Sequence, residues 1–189
     1  MDHDIDRLVK RAQSGDQFAF GVIVEGHDSK IRGLLLGIVH NPHDADELAQ
    51  QTWIKAWRNL PKFEGRSSFS TWLFRIATFT AWDHLKKEKR RAEIELAEEV
   101  YDSAVEYSAT PINTPARPDE AAAHAEVRER FKSALGSLSD KHRATLVLRE
   151  VEGLSYKEIA TVLDCNVGTV MSRIHTARKS IQAKMKDLL

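Results

Sequence analysis

The stretch Leu154–Met185, LSYKEIATVLDCNVGTVMSRIHTARKSIQAKM, decides the fold. Ser155 and Glu158 stand at the S-x-x-E spacing of a capping box, so a short helix is expected to start there and to end near Leu163. Asp164, Cys165 and Asn166 then read as a tight turn, with Asn166 as the N-cap of a second helix from about Gly168 to Met185. At about 100° per residue, Val170, Ile174, Ala177 and Ile181 fall within about 60° of one another and form a buried stripe. Opposite them lie Gly168, Ser172, His175, Thr176 and Lys179, with Met171 and Arg173 on the flanks. A short helix, a tight turn and a basic second helix together describe a helix-turn-helix. The outer face mixes cations with hydrogen-bonding side chains, which is what a DNA major groove requires: cations fix register on phosphates and polar groups read base edges. Gly168 permits close backbone approach at the helix N-terminus, where the dipole favours a phosphate.

Working upstream, Pro111, Pro115 and Pro118 break any regular helix or central strand, so this segment reads as a linker. It divides the chain into an N-terminal domain at 1–95, an acidic linker at 96–119 and a C-terminal domain at 120–189. Both domains show apolar residues at three- and four-residue spacing, so the fold class is all-α: two small helical domains joined by a flexible linker. Expected helices run over Asp4–Gln13, from an Asp16 cap through Phe18, Phe20, Ile23 and Val24, and over Ser29–Val39, with Gly21 and Gly26 weakening continuity between the last two. Asn41-Pro42 reads as N-cap and first position of a helix reaching Asn59, and Leu60-Pro61 ends it. Ser70 is expected to cap a long helix beginning TWLFRIATFTAWDHL. Further helices are expected over Asp119–Gly136 and, capped by Ser139, from Asp140 to about Glu152.

The 189 residues carry 28 basic and 28 acidic side chains, and a formal net charge of zero argues at first against a nucleic-acid partner. By segment the charge is +3 over 1–92, −7 over 93–130 and +4 over 131–189. Within the first block, KKEKRR at 86–91 holds five cations in six residues. A phosphate backbone feels such clusters within a Debye length of about 8–10 Å, not the sum over the chain. No apolar run is long enough to span a membrane, the acidic N-terminus lacks a signal peptide's apolar segment, and one cysteine fits a reducing cytosol, so a cytoplasmic protein is expected.

The segments GLSYKEIA and NVGTVMSRIHTARKSI resemble region 4 of the extracytoplasmic-function (ECF) sigma factors of the sigma-70 superfamily. In the first half, GDQFAF, DADELAQQTWIKAW and FSTWLFRIATFTAWDHLKKEKR resemble sigma region 2 in order and spacing. The resemblance implies a non-enzymatic initiation factor that directs RNA polymerase core to promoters, recognising −35 and −10 elements and aiding melting. It assigns Gly168, Thr169, Met171, Ser172, Arg173, His175, Thr176, Arg178 and Lys179 to the −35 element. It assigns Phe63, Arg66, Ser67, Ser68, Phe79, Lys86, Lys87, Lys89, Arg90 and Arg91 to the −10 element. Asp44, Asp46, Glu47, Leu48, Gln50 and Gln51 would face a coiled coil on the largest polymerase subunit. Family members often carry Asn at the position of Phe79 and basic residues at those of Met171 and Thr176, so base preference here should differ; an acid is common at that of Gln51, so that edge of the docking surface is expected to be less acidic. An anti-sigma factor is a common partner in the family, and the acidic linker would lie along the polymerase's basic RNA path.

Several residues invite other readings. Trp53, Trp57, Trp72 and Leu73 are expected in the core. The cluster of His40, His43, Asp44 and Asp46 is explained by the Asn41-Pro42 helix start, so neither a metal nor another cofactor is expected. Cys165 reads as a small apolar turn residue. A regulator using the same helix-turn-helix without recruiting polymerase, or a scaffold whose N-terminal bundle binds another protein, needs neither DADELAQQTW nor the FEGRSSFSTW loop.

Overall fold

A computed structural model describes residues 2–99, 127 and 129–186. The elements are α1 (Asp2–Gln13), α2 (Gln17–Val39), α3 (Pro42–Asn59), a single 3₁₀ turn (Leu60–Lys62), α4 (Phe69–Glu99), helical residues 129–136 (α5), α6 (Asp140–Glu150), α7 (Tyr156–Leu163) and α8 (Val167–Met185). Among the described residues there is no strand. The expected linker and the start of the expected Asp119–Gly136 helix lie outside the described residues.

Most boundaries follow from local chemistry. Asp16 caps α2, its carboxylate accepting from Ala19 N–H at 3.0 Å. Asn41 Oδ1 accepts from His43 N–H at 2.9 Å with Pro42 at the first position of α3, so the missing proline donor costs nothing. The Ser155–Glu158 capping box is complete, and Ser139 caps α6. Asn166 Oδ1 accepts from Thr169 N–H at 2.7 Å and from its hydroxyl at 2.9 Å. Asn166→Ala should therefore cost about 1 kcal/mol, read as a lower melting temperature by circular dichroism; an unchanged melt would show the cap to be dispensable.

Two boundaries differ from expectation. α2 is one continuous helix through Gly21 and Gly26. Each glycine costs about 1 kcal/mol relative to alanine, and burial of Ala19, Ile23, Ile31, Leu34, Leu35 and Ile38 along the same helix outweighs this. α4 starts at Phe69 and is capped by Ser68, whose hydroxyl accepts from Thr71 N–H at 3.1 Å. The earlier start buries the Phe69 ring, while Ser70 turns toward His27.

In the first half, α1 to α4 close around Ile23, Ile31, Leu34, Leu35, Ile38, Leu48 and Leu73. In the second half, α6, α7 and α8 close around Leu148, Ile159, Val162, Val170 and Ile174. These are not separate cores: one continuous buried cluster includes residues of both halves. α4 packs on α7 and α2 packs on α6. The second contact depends on Gly37, where an added Cβ would sit 2.9 Å from Val147 Cγ1. The β-branched Val147 side chain has little freedom to withdraw.

Candidate nucleic-acid interface

α8 presents the expected polar and basic face to the outside. Val170, Ile174 and Ala177 are buried against α6 and α7, and this fixes the rotation of the helix. Gly168, Met171, Ser172, His175, Thr176, Arg178 and Lys179 are exposed, Met171 at 53%. Thr169 and Arg173 are half-buried. Arg173 donates to the Cys165 sulfur at 3.7 Å, so the turn cysteine contacts a cation of α8. Arg178 is engaged by Glu150 of α6, with Nη2 at 2.5 Å and Nε at 3.2 Å from the same oxygen. That carboxylate holds the guanidinium above its ordinary pKa. A phosphate contact by Arg178 would have to replace this partner.

A second surface lies on the loop between the 3₁₀ turn and α4. Gln13 donates to the Leu60 and Phe63 carbonyls at 3.1 and 2.7 Å, which ties the loop to α1. The Phe63 ring packs against Phe69 and Trp72, with centroids 5.9 and 5.0 Å away. Lys62, Phe63, Glu64, Arg66, Ser67 and Trp72 line a concavity of about 190 Å³. Beside it, Asn59, Lys62, Trp72, Arg75, Ile76 and Phe79 line another of about 330 Å³. Lys62 and Trp72 belong to both. Aromatic walls beside cations are what an unstacked base and its phosphate need.

Trp72, expected in the core, is half-buried and forms this shared wall. Leu73 is fully buried as expected. Asn59, Lys62 and Arg75 were not anticipated at this surface. The signal for Arg75 was its four-residue spacing from Phe79 on α4, and its guanidinium lies 5.2 Å from the Phe79 ring centroid. Further along α4, Lys86, Lys87 and Arg90 are exposed. Lys89 pairs with Asp140 of α6 at 2.7 Å and Arg91 with Glu95 at 2.7 Å.

The third surface is on α3, and one expected member is absent from it. Leu48 is 1% exposed and lies in the core, because the α2–α4 packing claims that face of α3. Ile54, three residues beyond Gln51, is an exposed apolar side chain on α3, at 51%. Asp46 pairs with Arg32, which also holds Asp28 at 2.5 Å. Asp44 lies 3.5 Å from His84, and Gln51 donates to Glu47 at 3.0 Å. Trp53 is buried and donates to Asp28 at 2.8 Å, and Trp57 packs beside Phe20. Among the described residues, no three His, Cys, Asp or Glu side chains gather as a metal site. No helix among them is long and apolar enough to cross a membrane.

Residues 23–91 match the sigma-70 region 2 family and residues 128–181 match the sigma-70 region 4 family. The chain is 40% identical over 185 residues to the RNA polymerase sigma-H factor of Pseudomonas aeruginosa, covering 97% of this chain and 94% of that one. It is 37% identical over 184 residues to the ECF RNA polymerase sigma-E factor of Haemophilus influenzae, covering 96% and 95%. Its fold is similar to that of the sigma factor RpoE from Bartonella quintana, solved with the anti-sigma factor NepR, with a TM-score of 0.67, 25% identity and coverage of 88% and 96%. Both family domains, matched in order, and relatives that align over nearly the whole chain give one assignment: the chain belongs to the ECF sigma factors of the sigma-70 family, non-enzymatic initiation factors that bind RNA polymerase and direct it to specific promoters.

Proposed function

We propose a division of that activity among the three surfaces. Residues 1–95 dock on polymerase core and open the −10 region, and residues 120–189 hold the −35 element. On α3, Asp44, Asp46, Glu47, Gln50, Gln51 and Ile54 meet the polymerase: the carboxylates steer encounter with a basic partner and Ile54 adds contact area. The concavities around Phe63, Arg66, Ser67, Trp72, Arg75 and Phe79 receive unstacked bases of the −10 strand. Ser68 takes part only through the loop, since its hydroxyl is committed to the α4 cap. Lys86, Lys87, Lys89, Arg90 and Arg91 follow the strand's phosphates. The protein works in the cytoplasm beside the chromosome, and an anti-sigma factor is its natural inhibitor, by analogy with its solved relative.

The observation that carries the −35 assignment is the exposed face of α8, with Ser172, His175, Thr176 and Lys179 turned outward while Val170, Ile174 and Ala177 are buried. A bare amphipathic helix would serve packing alone, but this one follows a capped helix and a tight turn. His175→Ala should relax sequence preference at one or two base pairs of the −35 element, by about 1–3 kcal/mol. Lys179→Ala should weaken binding evenly across sequences and lower the salt slope by about one. Holoenzyme binding to a randomised −35 library at several salt concentrations separates the two. If neither substitution changes affinity, preference or slope, α8 does not read the promoter.

A further inference from the structure

The exposed side of α8 is not polar throughout. Val167 is 37% exposed and Met171 53%. They stand one turn apart in the first half of the helix, with Cβ atoms about 5–6 Å from each other, and form one apolar strip. Val170, Ile174 and Ala177 pack the helix, and the strip lies beyond the edge of that buried stripe. The polar groups around it are already committed. Asn166 Oδ1 accepts from the Thr169 N–H and hydroxyl at 2.7 and 2.9 Å. The Ser172 hydroxyl donates to the Thr169 carbonyl at 3.1 Å. Arg178, two turns beyond Met171 on the same side, is held by Glu150. Arg173 projects about 160° away from Met171 and donates to the Cys165 sulfur.

Base pairs differ in what they offer such a surface. Guanine O6 and N7 call for a cationic donor, Arg or Lys, and adenine N6 and N7 call for the free amide of Asn or Gln. Residues 167–172 read Val, Gly, Thr, Val, Met, Ser and contain none of these. Asn166 has the right side chain, but its oxygen is committed to capping α8. Among the four bases, thymine carries an apolar group on its major-groove edge, the C5 methyl. The N-terminal residues of a recognition helix are those that meet base edges, so the strip stands where such a methyl would be met.

We infer that Val167 and Met171 read the C5 methyl groups of thymines in the −35 element, on neighbouring base pairs, so that the first half of α8 selects T·A pairs over G·C pairs. Polar base edges are left to His175, and phosphates to Lys179, further along the helix. The inference rests on the reading of α8 as the −35 helix.

Deoxyuridine tests it, because dU differs from dT by that methyl alone and pairs with adenine in the same way. Selection of a randomised −35 library with holoenzyme gives the preferred site, and each dT on either strand is then replaced by dU. Loss of one buried methyl should weaken holoenzyme binding about fourfold at one or two positions. The double variant Val167→Ala, Met171→Ala should melt as the parent does, since both side chains are exposed, and should no longer distinguish dT from dU. Met171→Arg should turn the preference at its base pair toward G·C, because the guanidinium supplies the missing fork for guanine. The dU comparison uses the unsubstituted chain and does not depend on any variant's folding. Equal affinity for dT and dU at every position would overturn the inference. So would methyl sensitivity that survives in the double variant, or an unchanged preference in Met171→Arg. A holoenzyme that selects no −35 sequence would instead remove the −35 reading of α8, and this inference with it.

Discussion

Ile174→Ala should strongly destabilise the C-terminal helices and weaken the core that they share with the N-terminal bundle. Ile174 is 2% exposed in the buried stripe of α8, between Val170 and Ala177, where it packs α8 against α6 and α7. Truncating a buried isoleucine to alanine costs about 2–5 kcal/mol, because transfer energy is lost and the cavity collapses only in part. Net stability of a folded domain is only about 5–15 kcal/mol, so one substitution removes a large share of it. The expected result is a lower melting temperature in circular dichroism, together with reduced transcription from promoters that depend on a −35 element. Met171→Ala on the exposed face of the same helix is the contrast: stability within about 0.5 kcal/mol of the parent and a change only in base preference. Equal melting curves for Ile174→Ala and the parent would mean that the stripe is not what docks α8.

Removing Lys86, Lys87 and Arg90 together should weaken promoter binding about fiftyfold at physiological salt. These three are exposed on α4, whereas Lys89 and Arg91 are paired with carboxylates. Each phosphate neutralised on a single strand contributes about 0.7 to the slope of log affinity against log salt. Three contacts give a slope near two, hence roughly fiftyfold at about 0.15 M salt. The triple alanine variant should bind polymerase core as the parent does, because α3 is untouched. Fluorescence-anisotropy titrations of holoenzyme with a forked −10 probe, at several salt concentrations, read both slope and affinity. An unchanged slope would remove these cations from the DNA path.

What the residues alone disclosed was mostly local. A capping box, an Asn-Pro helix start and an asparagine before Val167 each satisfy backbone donors within a few residues, so no distant partner is needed to predict them. The buried and exposed faces of α8 were legible for the same reason, since 3.6-residue periodicity separates Val170, Ile174 and Ala177 from Ser172, His175 and Lys179 whatever else the chain does. Leu48 was misplaced because acidic neighbours coloured the reading of an apolar residue whose own face is buried by α2 and α4. Trp72 was misplaced in the other direction. An aromatic at helical spacing reads as core, and only the folded loop shows its ring shared between two concavities. Arg75 carried a spacing signal toward Phe79 and no signal at all toward Asp164, which is 89 residues away.

The sequence by itself determined an all-helical chain, a helix-turn-helix and the segregation of charge that zero net charge conceals, because helix caps, apolar periodicity and charge runs act over a turn or two. Tertiary structure decided which cations are free and which are held. Lys89, Arg178 and Arg75 are alike in composition, yet each meets an acceptor from a distant segment. It also decided that the two halves share one core, since the closeness of Gly37 to Val147 is a property of packed surfaces that no local pattern encodes.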